Sequence, residues 1–123
     1  LEAKKRGLPT EHITISSDGH GSWSNYAKDG TLLEIGVSSV DALYKELNYM
    51  VKELGMSLEE ALPYLTSQVA ESLDLLPKKG VIKEGADGDF LLFDRELSLD
   101  TYVAGGRIFR KDGRVLKKGT YET

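Results

Sequence analysis

The sequence has no cysteine. That excludes disulfides, thiolate metal ligands and a cysteine nucleophile. Histidine is scarce too: His12 and His20 are the only two. A hydrolytic zinc site normally takes three protein ligands, often several of them histidines, and this pair does not make such a site. Ser16, Ser17 and Ser22 are present, but no Gly-x-Ser-x-Gly elbow accompanies them, so the nucleophilic-serine signature is missing. The glycines at 19–21 and 105–106 do not form a phosphate-binding loop. No apolar run approaches the roughly 18–20 residues that a membrane helix needs. Basic charge is not in excess, with 16 Lys and Arg against 20 Asp and Glu and a net charge of −4. That balance argues against a nucleic-acid binder. Lys4-Lys5-Arg6 and Lys117-Lys118 are short basic patches and read as solvated surface. The opening Leu1-Glu2-Ala3-Lys4 is neither an initiator methionine nor a signal peptide. We expect a chain that starts in mid-protein and has a cytoplasmic origin.

What is present describes a globular, soluble chain. Its 123 residues are 40% apolar and 29% charged, enough for one ordinary domain with a modest core. His12-Ile13-Thr14-Ile15-Ser16 is short, alternating and β-branched, which predicts a strand. Residues 23–36 read as irregular, with a turn at Lys28-Asp29-Gly30. Ser38-Ser39-Val40-Asp41 predicts a serine-capped helix start with an acid in the first turn. Val40, Leu43, Leu47, Met50, Val51 and Leu54 then recur at helical spacing, and Gly55 stops them. Ser57-Leu58-Glu59-Glu60 is a capping box for a second helix, which Pro63 keeps short. Thr66 or Ser67 can cap a third, closing a helical block over 38–76. Tyr44, Tyr49 and Tyr64 fall on these helices and read as packing residues. After Pro77-Lys78-Lys79-Gly80 the period changes. Phe90–Asp94, Thr101–Ala104, Arg107–Arg110 and Val115-Leu116 read as strands, with a hairpin turn at Asp112-Gly113.

The segment that could carry chemistry is Ser17-Asp18-Gly19-His20-Gly21-Ser22, directly after the first predicted strand. Two readings stand side by side. Asp-Gly and Ser are common turn residues, so this is a turn. The other is that a carboxylate at the end of a parallel strand, opening a glycine-rich loop, is how a (β/α)8 barrel presents a catalytic group. Asp18 could then bind a metal or accept a proton from metal-bound water. Gly19 and Gly21 would let backbone approach a ligand, and Ser22 could hydrogen-bond a polar substrate. His20 reads as a loop residue beside the site, and His12 as structural.

Three stretches together resemble the C-terminal third of the isoaspartyl (β-aspartyl) dipeptidases, in the amidohydrolase superfamily. They are Ile13–Ser22; Val40–Leu43 with Ser57–Leu62 and Leu65–Ala70; and Lys79–Asp94 followed by Val103–Arg107 and Lys111–Gly113. The resemblance implies an α/β fold, with residues 1–79 as the last βα unit and helices of a metal-dependent (β/α)8 barrel. Residues 80–123 would be the C-terminal part of a small β-sandwich domain. It implies that Asp18 binds one metal of a two-zinc centre and carries the proton to the leaving amine. Ser22 would contact the polar backbone end of a β-aspartyl dipeptide. Members of the family form homo-oligomers. The sequence departs from the family in lacking its His-x-His pair, its bridging lysine or glutamate, its two further histidines and its substrate-clamping arginines. Those would lie upstream of Leu1. Gly88 stands where family members usually carry alanine. The resemblance therefore implies a fragment that alone neither holds two zinc ions nor hydrolyses β-Asp-Leu. Two alternatives stand beside it. One is another amidohydrolase, dihydropyrimidinase-like or deacetylase-like, which the Asp-Gly-x-Gly-Ser loop disfavours. The other is a non-enzymatic module that associates through exposed strand edges.

Overall fold

The computed structural model describes residues 2–118. It divides into two units, Leu1–Val69 and Ala70–Thr123. The class is mixed α/β, with a two-stranded and a four-stranded sheet, both antiparallel.

In the first unit, helix α1 (Glu2–Lys5) places the opening basic patch on exposed surface. Arg6 pairs with Glu2 at 2.8 Å, and Lys4 pairs with Glu60. Exposed pairs of this kind contribute little to stability. The strand expected over His12–Ser16 does not form. Residues 13–18 have no regular structure, and no strand among the described residues pairs with them. Their β-branched alternation supplies propensity, but a strand needs an edge that accepts its backbone groups. Here the Ile15 N–H donates instead to the Tyr64 carbonyl at 3.0 Å.

Residues 23–36, expected to be irregular, lie instead in a hairpin of β1 (Ser22–Tyr26) and β2 (Leu32–Val37). The expected turn closes it. Asp29 Oδ1 accepts from the Thr31 N–H at 3.0 Å, and Gly30 takes φ +88°. That donation from Thr31 holds the Asp29 carboxyl below the usual carboxylate range.

Helix α2 spans Ala42–Lys52. Its start differs from expectation: Asp41 occupies the N-cap and makes no side-chain cap bond. The Asp41 carboxylate is engaged elsewhere, by the Ser39 hydroxyl and by Lys45 at 2.9 Å, and both lower its pKa. Leu47 and Met50 are the buried members of the apolar pattern, while Val40, before the helix, is exposed. Gly55 ends the run at φ +69°, a conformation that costs glycine little. Ser57 and Glu60 close the expected capping box, with reciprocal bonds of 3.2 and 3.0 Å. Helix α3 (Leu58–Ala61) passes into a 3-10 turn at Leu62–Leu65, where Pro63 is tolerated. Thr66 donates its hydroxyl to the Leu62 carbonyl at 2.8 Å, and α4 (Ser67–Ser72) follows. Leu47, Met50, Met56 and Ala61 form the buried apolar set of this unit.

In the second unit, β3 (Phe90–Phe93), β4 (Leu99–Ala104), β5 (Arg107–Lys111) and β6 (Arg114–Val115) form a sheet in chain order. Two tight turns set this order. Gly105-Gly106 and Asp112-Gly113 all take positive φ, as a type I′ turn requires at both central positions. Thr101 and Val103 point to one face of β4 and are buried. A polar clamp fixes the approach to β3. Lys79 Nζ bridges Asp87 (2.9 Å) and Asp89 (2.6 Å), and Asp89 Oδ1 accepts from the Gly105 N–H (2.6 Å). The Gly106 N–H donates to the Gly88 carbonyl at 2.9 Å. A methyl group on Gly88 would press on the Gly106 backbone at 3.2 Å, which suits the glycine found there.

Leu47→Ala is expected to lower the unfolding free energy by about 2–5 kcal/mol, measured by urea denaturation. The clamp gives a second expectation. Asp89 and Asp87 hold the Lys79 ammonium up to about 12. The Gly105 N–H and Lys79 hold Asp89 below its ordinary value. The lysine contribution is complete below its ordinary pKa of 10.5 and is lost as pH rises through about 12. The aspartate contribution is present above 3.8 and is lost as pH falls through the lowered value. The protection of the Gly105 amide from hydrogen exchange should therefore decline at both extremes, and Lys79→Met should flatten the alkaline arm.

Candidate active site

The site begins as a tight turn. The Gly21 N–H donates to the Asp18 carbonyl at 2.8 Å, closing Asp18-Gly19-His20-Gly21. The Ser17 hydroxyl accepts from the Gly19 N–H at 3.1 Å. Asp18 takes φ +46° and His20 φ +67°. Positive φ at two side-chain-bearing residues is unfavourable, though Asp and His tolerate it better than most. Two backbone bonds to Ser38 fix the turn in that shape. The His20 N–H donates to the Ser38 carbonyl at 2.9 Å, and the Ser38 N–H donates to the Gly21 carbonyl at 2.8 Å. These bonds continue the ladder of β1 and β2 by one step, past the Ser22–Val37 rung.

The Asp18 carboxylate folds back over Gly21. A methyl group built on Gly21 would lie 2.5 Å from Asp18 Oδ2. A side chain at 21 would therefore have to displace the exposed Asp18 carboxylate. Gly19 is tight as well: its methyl would stand 3.0 Å from Val40 Cγ1. Asp18, His20 and Ser22 are exposed. Ser22 opens β1, so the turn and the strand place Asp18 and Ser22 at the same end of the hairpin. Among the described residues no hydrogen bond or ion pair joins the side chain of His12 or of His20 to Asp18. His12 lies in a separate exposed turn at 11–12.

On the other face of the hairpin, Trp23 lies opposite Gly36. The indole rests on the glycine backbone so closely that any side chain at 36 would overlap it. The irregular structure expected over 23–36 does not contain this pair. The signal was available: an Asp-Gly turn flanked by Ser-Trp-Ser-Asn-Tyr and Leu-Leu-Glu-Ile-Gly-Val predicts a hairpin.

Chemically, an exposed carboxylate on a strained turn can take up or release a proton, or supply one oxygen donor to a cation. It cannot do more unaided. Among the described residues, no three of His, Cys, Asp and Glu come together to hold a metal ion. The described residues therefore do not build a metal centre, because affinity requires several donors in fixed geometry.

The amidohydrolase family model matches residues 1–116. The chain belongs to the amidohydrolase family. Among solved amidohydrolase structures, it resembles a β-aspartyl dipeptidase from Fervidobacterium islandicum AW-1, determined in complex with β-Asp-Leu dipeptide. The TM-score is 0.82 and the identity 34%, over 98% of this chain and 32% of that one. It also resembles an N-acetylglucosamine-6-phosphate deacetylase from Pasteurella multocida, with TM-score 0.63 and 16% identity over 87% of this chain and 32% of that one. That second likeness concerns the fold alone. A curated relative, the N-acetylglucosamine-6-phosphate deacetylase of Danio rerio, is 29% identical over 87 residues, which is 70% of this chain and 21% of the relative. The chain thus spans about a third of the length of the solved structures it matches and about a fifth of the curated one.

Gly21→Ala should displace the Asp18 carboxylate and destabilise the turn. In an Asp18→Ala background the same change should be close to neutral, because the overlapping group is gone. A double-mutant cycle read by thermal denaturation checks this, and additive effects would refute the steric account.

Proposed function

We propose that this chain is part of a β-aspartyl dipeptidase, with Asp18 as its catalytic carboxylate and Ser22 as a contact for the substrate's polar backbone end. The supporting observation is the likeness, across 98% of the chain, to a dipeptidase crystallised with β-Asp-Leu. The turn adds to it: Asp18 is exposed, its carboxylate lies over Gly21, and it shares one end of the hairpin with Ser22. On this reading residues 1–79 belong to a barrel domain and residues 80–123 to a β-sandwich. Asp18 is one donor to a zinc pair whose other donors come from outside the described residues. Zinc, when bound there, would supply an activated hydroxide. The part of this chain is to orient one carboxylate and one hydroxyl toward that place.

A second reading has its own support. The Danio rerio relative, at 29% identity, is a deacetylase of N-acetylglucosamine 6-phosphate. The same carboxylate would then serve hydrolysis of a sugar acetamide.

The longer protein should be assayed with β-Asp-Leu and with N-acetylglucosamine 6-phosphate, as wild type and as Asp18→Asn. We expect turnover of the dipeptide only, and a fall in kcat of about a thousandfold in the variant, as expected when a proton-transfer group is lost. Turnover of the sugar alone would establish the second reading. The 123-residue chain by itself should show neither stoichiometric zinc nor turnover. Either one would overturn the view that its ligand set is incomplete.

A further inference from the structure

Trp23 is the only tryptophan of the chain, and its indole occupies the space a side chain at Gly36 would take, directly across the hairpin. The next rung is Ser22–Val37, and beyond it Ser38 makes its two backbone bonds to His20 and Gly21. The stack therefore sits two residues from the turn that carries Asp18. Besides its backbone ladder and the Asp29-Gly30 turn, the hairpin has little side-chain packing to hold it. On the opposite face, Leu33, Ile35 and Val37 are more than 60% exposed. A two-stranded hairpin is marginal on its own, so a single large cross-strand contact weighs heavily in its register. The turn needs that register, because Asp18 and His20 both stand at positive φ and relax if the Ser38 bonds are lost.

We infer that the Trp23–Gly36 stack is a positioning element for Asp18: it fixes the register of β1 on β2, and the register fixes the Asp18 turn through Ser38. The catalytic consequence rests on the proposed dipeptidase reading; the structural coupling does not. Trp23 touches no reacting atom on this account. It acts through the turn.

The test has two readouts. The first uses the 123-residue chain and follows the amide resonances and hydrogen exchange of Gly19, His20, Gly21 and Ser38. Trp23→Ala should shift these amides and speed exchange at His20 and Ser38 by about tenfold or more, as the turn opens locally. Gly36→Ala should do the same by expelling the indole. Trp23→Phe, which keeps a flat ring over Gly36, should restore them. Ile35→Ala, on the other face, should leave them unchanged. If Ile35→Ala moves the turn as much as Trp23→Ala, or if Trp23→Ala leaves it in place, the inference fails. If Trp23→Ala and Gly36→Ala both unfold the hairpin, Trp23→Phe decides: wild-type resonances at 19–21 uphold the inference and shifted ones overturn it.

The second readout is kinetic, on the longer protein with β-Asp-Leu. Misplacing a catalytic group lowers kcat more than KM. Trp23→Ala should lower kcat about ten- to a hundredfold, with Trp23→Phe close to wild type. A change confined to KM would overturn the positioning role. Absence of β-Asp-Leu turnover in the wild type would sink the dipeptidase reading and leave the amide readout to judge the coupling.

Discussion

Two backbone hydrogen bonds at Ser38 carry the candidate site. One is accepted from His20 and the other is donated to Gly21. They join a strained turn to the open end of a hairpin. The turn holds two side-chain-bearing residues at positive φ, a conformation that persists only where its surroundings impose it. Without the bonds the turn would relax, and the Asp18 carboxylate would lose its direction. The bonds in turn require the β1–β2 register, which the Trp23–Gly36 contact and the Asp29-Gly30 turn set from either side.

The second unit solves a related problem by other means. Its sheet is built from neighbouring strands joined by positive-φ turns, so order and register are local. The Lys79, Asp87 and Asp89 clamp ties the incoming chain to the Gly105 turn. Each of these groups is exposed or partly exposed, so the clamp acts through geometry and hydrogen bonding more than through a buried charge.

Apolar burial is modest in both units. Among the described residues the buried apolar side chains are Leu47, Met50, Met56, Ala61, Ala70 and Val103, while Leu33, Ile35, Val37 and Ile82 are largely exposed. Polar clamps, caps and tight turns thus carry a large share of the local order. Under the proposed reading, the remainder of the amidohydrolase supplies both cover for these side chains and the donors that Asp18 needs.

Much was legible in the sequence because its cause is local. The Ser57–Glu60 capping box, the stop at Gly55, the turns at Asp29-Gly30 and Asp112-Gly113, and the four strands after residue 89 each follow from nearby residue types. The amidohydrolase likeness was legible too, since it lies in the order of short motifs. Other features depended on partners distant in the chain. The β-branched run at 12–16 reads as a strand, yet no edge among the described residues receives it, and Ile15 bonds to Tyr64 instead. Ser38 and Ser39 read as helix caps, yet Ser38 is taken by the Asp18 turn and Asp41 stands at the cap. The Asp29-Gly30 turn marks a hairpin, but only the cross-strand register seats the Trp23 indole at Gly36. The sequence by itself determined the Asp-Gly turns, the Ser57–Glu60 capping box and the family. Tertiary structure decided which backbone groups found partners, because a hydrogen bond needs its second half and propensity supplies only the first.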